Sequence, residues 1–141
     1  MYPPRTVFLT AVCGCEMSEN GLISIIDDDA LARDGIRELV ESLGYRTVSF
    51  GSAEHFLGSG MIAQTMCVIT DVQMPGLNGL ELQEALQSQG RHIPVILITA
   101  YANEKQRTRA LNRGAVGFLS KPFNEETLIS CLTAAIKLRS S

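Results

Sequence analysis

The sequence lacks an excess of positive charge: 12 Lys and Arg stand against 15 Asp and Glu, a formal net charge of −3. Nucleic-acid binding is driven by releasing counterions to a basic surface, so general nucleic-acid binding is not expected of this chain. Nothing in the charge pattern invites a membrane surface either. A cysteine framework is also missing. The 4 cysteines are Cys13, Cys15, Cys67 and Cys131. Cys13 and Cys15 make a CxC pair, with no second pair or nearby histidine to complete a zinc site. Cys67 and Cys131 fall within apolar patterns, where cysteine acts as a small hydrophobe, and reduced thiols fit a cytoplasmic protein. No apolar run is long enough to span a bilayer. VFLTAVCGC, after Arg5, looks like a weak export signal, but Met17 opens MSENGLISIIDDD, a natural start by itself. Residues 1–20 are therefore expected to be a disordered extension, and 139–141 a short tail, around one domain at 21–138. Repeats, low-complexity tracts and interdomain linkers are absent. A chain of 141 residues can bury a core without disulfides or structural metal.

What is present is a regular alternation. LISII (22–26), YRTVSF (45–50), MCVIT (66–70), PVILIT (94–99) and VGFLS (116–120) are short and rich in β-branched residues, and turn formers bound them. Three are nearly all apolar, as in strands covered on both faces of a parallel sheet. Between them lie helical patterns. Leu31, Ile36, Leu39, Val40 and Leu43 form an apolar stripe stopped by Gly44, and Asp29 is expected to cap that helix. Ser52 can cap a short helix through SAEHFL. Leu82, Ala85 and Leu86 mark the next helix, and a fourth over 103–113 ends at Gly114. Asn124 caps the last, with Leu128, Leu132 and Ala135 facing inward. The alternation predicts an α/β fold: a doubly wound five-stranded parallel sheet with helices on both faces and right-handed crossovers. In such sheets the functional crevice lies beyond the carboxyl ends of the strands.

The first strand runs into Asp27, Asp28 and Asp29, the third into Asp71, the fourth into Thr99 and the fifth into Lys121-Pro122. Taken singly, each has an ordinary explanation: a helix cap, a turn residue, a solvated lysine. Taken together, each stands at its own strand terminus on one end of the sheet. Grouped aspartates repel one another and stay ionised most readily around a cation. Mg²⁺ suits a few carboxylates plus waters and a phosphate. Lys121 can neutralise phosphoryl oxygens, and Thr99 can donate a hydrogen bond to one of them.

IIDDDA, VITDVQMPGLNGLEL, PVILITAY and GAVGFLSKPF resemble, in order and spacing, the motifs of response-regulator receiver domains of the CheY-like superfamily. The resemblance covers roughly residues 21–138, and SAEHFL, MPGLNGLEL and SKPF look like the FixJ/NarL type. It implies strand order 2-1-3-4-5. It implies Asp71 as phosphoacceptor, with a sensor histidine kinase or phosphotransfer protein as donor. Asp27 (largely through water), Asp28, Asp71 and the backbone carbonyl of Gln73 would hold Mg²⁺, or Mn²⁺ in its place. Thr99 would contact the phosphoryl group, Lys121 would pair with it, and Phe118 would be the switching aromatic. The Lys121-Pro122 bond would be cis. The output face would be helix 4, strand 5 and helix 5, also a possible homodimer surface. Gln73 and Tyr101 stand where the family varies, and a bulky Tyr101 is expected to slow loss of phosphate.

Lys105, Arg109 and Arg113 recur every four residues on the fourth helix, with Arg107 nearby. Such a face is ordinarily solvated; its functional reading is a partner surface. His55 and His92 stand alone and read as structural or exposed. Two rival functions remain. An aspartyl-phosphate-forming phosphatase would need a second aspartate two residues after the nucleophile, where this chain has Gln73. A pseudo-receiver, a pure interaction module, would have lost an acid, the hydroxyl or the lysine.

Overall fold

In the computed structural model, which describes residues 21–140, one parallel sheet of five strands runs in the order β2-β1-β3-β4-β5. In chain order the elements are β1 (Leu22–Ile26), α1 (Ala30–Ser42), β2 (Arg46–Phe50), α2 (Ala53–Leu57), a 3₁₀ turn (Ile62–Gln64), β3 (Thr65–Asp71), α3 (Gly79–Ser88), β4 (Val95–Thr99), α4 (Glu104–Asn112), β5 (Gly117–Ser120) and α5 (Glu125–Ser140). The expected N-terminal extension and the Cys13–Cys15 pair lie outside the described residues. The fold class and strand order agree with expectation. β3 is longer at both ends than its apolar run, and its last residue is Asp71 itself.

The two sheet faces are covered by different helices. Ile23, Ile25, Cys67, Ile69, Ile96 and Ile98 share one core cluster with Ile36 and Val40 of α1 and Leu128, Leu132 and Ala135 of α5. Ile26, Val68, Leu97 and Phe118 share the other with Phe56 of α2, Leu80, Leu82 and Leu86 of α3, and Ala110 of α4. Alternate strand residues point to opposite faces, and here both faces are dry, which explains the continuous apolar runs.

Side-chain caps start the helices, at Asp29, Ser52 and Asn124 as expected and at Asn78 and Asn103 besides. Asp29 accepts from Leu31 N–H, Ser52 from His55 N–H, and Asn103 from Gln106 N–H. Asn124 Oδ1 accepts from Glu126 N–H at 2.7 Å. Asn78 and Glu81 form a reciprocal capping box at α3. The stripe expected on α1 needs correction. Leu31 is 83% exposed and Leu43 39%, so burial falls to Ile36 and Val40, with Leu39 packed beside them. Leu31 stands in the first turn of α1, just past the carboxyl end of β1, and that turn leaves it exposed.

Candidate functional site

The strand ends deliver their side chains to one place. β1 passes directly into Asp27, whose N–H donates to the carbonyl of Phe50 at 3.1 Å and so continues the sheet pairing by one residue. Asp27 is thereby buried, while Asp28 turns outward and Asp29 caps α1. β3 ends in the buried Asp71, whose neighbour Val72 donates to Ile98 O at 3.0 Å. Gly79 lies so close that a β-carbon there would collide with the carbonyl oxygen of Asp71. Only glycine lets α3 begin this close to the end of β3.

Oxygens of Asp27, Asp28 and Asp71 all lie within 4.8 Å of one another, a group able to hold a metal ion. The Lys121 ammonium reaches into it, 3.1 Å from Asp27 Oδ2 and 3.3 Å from Asp71 Oδ2. Lys121 is placed by its N–H, which donates to Thr99 O at 2.8 Å, and by a cis bond to Pro122. Burial pushes the Asp71 carboxyl above its ordinary value, and the Asp27 charge adds to this; Lys121 and the N–H of Gln73 oppose it. Burial alone would pull the Lys121 ammonium down, but its hydrogen bonds and charge attraction to Asp27 and Asp71 outweigh that and leave it raised. The site is thus electrostatically unsettled. Its carboxylates outnumber its one lysine, so a divalent cation with oxygen ligands fits the donor set.

Thr99 closes β4 fully buried, and its Oγ1 accepts the N–H of Tyr101 at 3.1 Å. Phe118 pairs in register with Leu97 and is 5% exposed, turned inward on the face that carries α3 and α4. The Gln73 N–H donates to Asp71 Oδ1 at 3.2 Å, which places that residue's backbone beside the Asp71 carboxylate and leaves its side chain exposed. Tyr101 is 73% exposed. His55 sits edge-on to Phe50, and His92 lies on the groove at the opposite end of the sheet, away from the acids.

Four arginines make contacts that the sequence does not reveal. The Arg33 guanidinium donates to the backbone carbonyl of Asp27 at 2.7 Å. Arg109 and Arg113, read as a solvated or partner face, both pair with Glu84 of α3. Arg107 donates to the carbonyl of Phe118 at 3.1 Å. A basic residue's spacing along its own helix carries no signal for a partner on another element.

Residues 23–133 match the model of the response regulator receiver domain. The chain belongs to that family. Nodulation protein W of Bradyrhizobium diazoefficiens is 39% identical over 120 residues, covering 85% of this chain and 53% of that protein. Transcriptional regulatory protein FixJ of Azorhizobium caulinodans is 36% identical over 120 residues, covering 85% and 57%. Among solved structures, response regulator StyR superposes with a TM-score of 0.79 at 35% identity, covering 86% of this chain and 61% of that one. The chain spans about half the length of these curated relatives. Among the described residues, no helix is long and apolar enough to cross a membrane.

Proposed function

We propose that this chain is a phosphoryl-accepting switch in which Asp71 takes a phosphoryl group from a phosphohistidine on a sensor histidine kinase or phosphotransfer protein. The observation that carries this reading is the Lys121 ammonium lying between Asp27 and Asp71 in a three-carboxylate cluster at the strand ends.

An ionised Asp71 oxygen attacks phosphorus in line, the P–N bond breaks with its electron pair going to nitrogen, and the imidazole leaves neutral because its other ring nitrogen carries the proton. Mg²⁺, or Mn²⁺ in its place, held by Asp27, Asp28, Asp71 and the Gln73 carbonyl, would supply charge neutralisation on the transferring oxygens. Lys121 meets the same oxygens from the end of β5, exchanging its ion pair with Asp71 for one with the phosphoryl group. The product carries close to two negative charges, and the Thr99 hydroxyl turns to donate to it. That movement leaves space on the α3/α4 face of β4 for Phe118 to reorient, so a local charge change reaches α4, β5 and α5. The same surface is the proposed homodimer face.

The working unit is residues 21–138, placed in the cytoplasm with its donor. It acts as a switch that modifies itself, and not as an enzyme with a released small-molecule product. Mass spectrometry after acetyl phosphate and Mg²⁺ tests the reading. A single phosphoryl adduct on wild type, absent from Asp71→Asn, is the expected result. No adduct would leave a pure interaction module, and many turnovers in a colorimetric phosphatase assay would make it a hydrolase.

A further inference from the structure

The loop from Val72 to Asn78 connects the acceptor strand to α3 and carries the Gln73 carbonyl. Its two ends are tied by their own elements: Gln73 to Asp71, and Asn78 to Glu81. Its middle is held from elsewhere. Leu77 N–H donates to Glu54 Oε2 at 2.8 Å, across 23 residues of sequence. The same carboxylate fills the space in front of Gly76, which has φ +76° and where any β-carbon would overlap it. Glu54 belongs to α2, a five-residue helix anchored by Ala53 and Phe56, both fully buried, so the carboxylate projects from a fixed base. The N–H of Leu77 and its own N–H hold the Glu54 carboxyl below its ordinary value, as an acceptor that stays ionised.

Between Leu77 and Gln73 the chain has little freedom. Pro75 fixes its own φ, and Met74 is 9% exposed within the core cluster beneath α3. A tether at Leu77 therefore limits where the Gln73 carbonyl can lie. We propose that Glu54 is a positioning residue: it clamps the loop after Asp71 so that the Gln73 carbonyl is presented to the cation. This rests on the proposed metal site, and it adds a residue from a different element, 23 positions upstream of Leu77. Glu54 touches neither phosphate nor metal. Its effect is on where the Gln73 carbonyl can lie.

The test is Mg²⁺ affinity by calorimetric titration on the whole chain, with melting temperature in EDTA measured beside it. Glu54→Ala is expected to weaken Mg²⁺ binding roughly three- to tenfold, the scale of one lost hydrogen bond. Glu54→Gln keeps an acceptor and is expected to recover most of that loss. Ser24→Ala supplies a control for mere destabilisation. It breaks the buried Ser24–Thr65 hydroxyl pair of 2.7 Å at the far end of the sheet, and should lower the melting temperature with Mg²⁺ affinity unchanged. Wild-type affinity retained by Glu54→Ala, or lost equally by Ser24→Ala, would overturn the role of Glu54 alone. Absence of Mg²⁺ binding by wild type would overturn the metal site with it.

Discussion

α4 and α5 flank the same edge strand, yet they are attached by different physics. α5 packs on β3, β4 and β5 and buries Leu128, Leu132 and Ala135, each at 1% exposure or less. α4 buries only Ala110. What holds α4 is mostly polar: Gln83 Nε2 donates to Ala110 O at 3.1 Å, Glu84 pairs with Arg109 and Arg113, and Arg107 reaches the Phe118 carbonyl. Apolar burial is non-directional and is lost in proportion to area, whereas a hydrogen bond can be exchanged for another at small net cost. A helix tied by exchangeable bonds beside Thr99 and Phe118 can take a second position without unfolding the domain. Its seam is also imperfect, since Gln83 Oε1 and Gln106 Oε1 are buried without a partner among the described residues.

The largest expected effect tests the apolar half of this contrast. Leu132→Ala should cost about 3 kcal/mol of stability, from lost transfer energy plus the cavity left behind. Urea denaturation would show it as a lower midpoint at unchanged slope. A loss below about 1 kcal/mol would mean that α5 is no better seated than α4.

The acidic site at the ends of β1 and β3 carries strain of its own. Burial and Asp27 raise the Asp71 carboxyl, so the folded chain binds a proton more tightly there than the unfolded chain does. Stability from this group is present at low pH and is lost as pH rises past the ordinary aspartate range. Asp71→Asn should therefore stabilise the metal-free protein at pH 7, by on the order of 1 kcal/mol. The gain should vanish below about pH 3, where both wild-type states are protonated, and should shrink when Mg²⁺ is added. Thermal melts across pH, with and without Mg²⁺, check the sign. A destabilised Asp71→Asn at neutral pH would show that Lys121 already satisfies the cluster.

Much of this was legible in the residues. Strands covered on both faces announce themselves as apolar runs, and the acids, hydroxyl and lysine stand at run ends, where a parallel sheet must gather them. Asp29, Ser52 and Asn124 were readable as caps because capping is local. Leu31 was misread because periodicity marks a face, while burial also needs something under that face. Glu84, Gln83 and Glu54 were invisible for a related reason. Each acts across 23 to 29 residues of chain, on a backbone group or a side chain whose position only the packed fold decides.

Gln83 sharpens the contrast at lower cost. Gln83→Leu removes a buried orphan oxygen, and Ala110 O keeps the N–H groups of Arg113 and Ala115. Apolar replacement of similar volume should then be neutral or stabilising by up to about 1 kcal/mol. It should also fasten α4 by area, as α5 is fastened. The NMR shift changes produced by phosphorylation should consequently shrink along α4 and stay the same around Thr99. Unchanged shifts along α4 would mean that its polar seam has no part in the proposed switch.

The smallest effect is the most local. Glu84→Gln removes the charge that pairs with Arg109 and Arg113, both about half exposed, so global stability should fall by less than about 1 kcal/mol. Native-state hydrogen exchange resolves what a melt does not, because local opening is read amide by amide. Amides of α4 should exchange severalfold faster in Glu84→Gln, and those of α5 at the wild-type rate. Faster exchange in both helices would mean that they open as one unit, and the distinction between a helix held by area and one held by bonds would not describe this molecule.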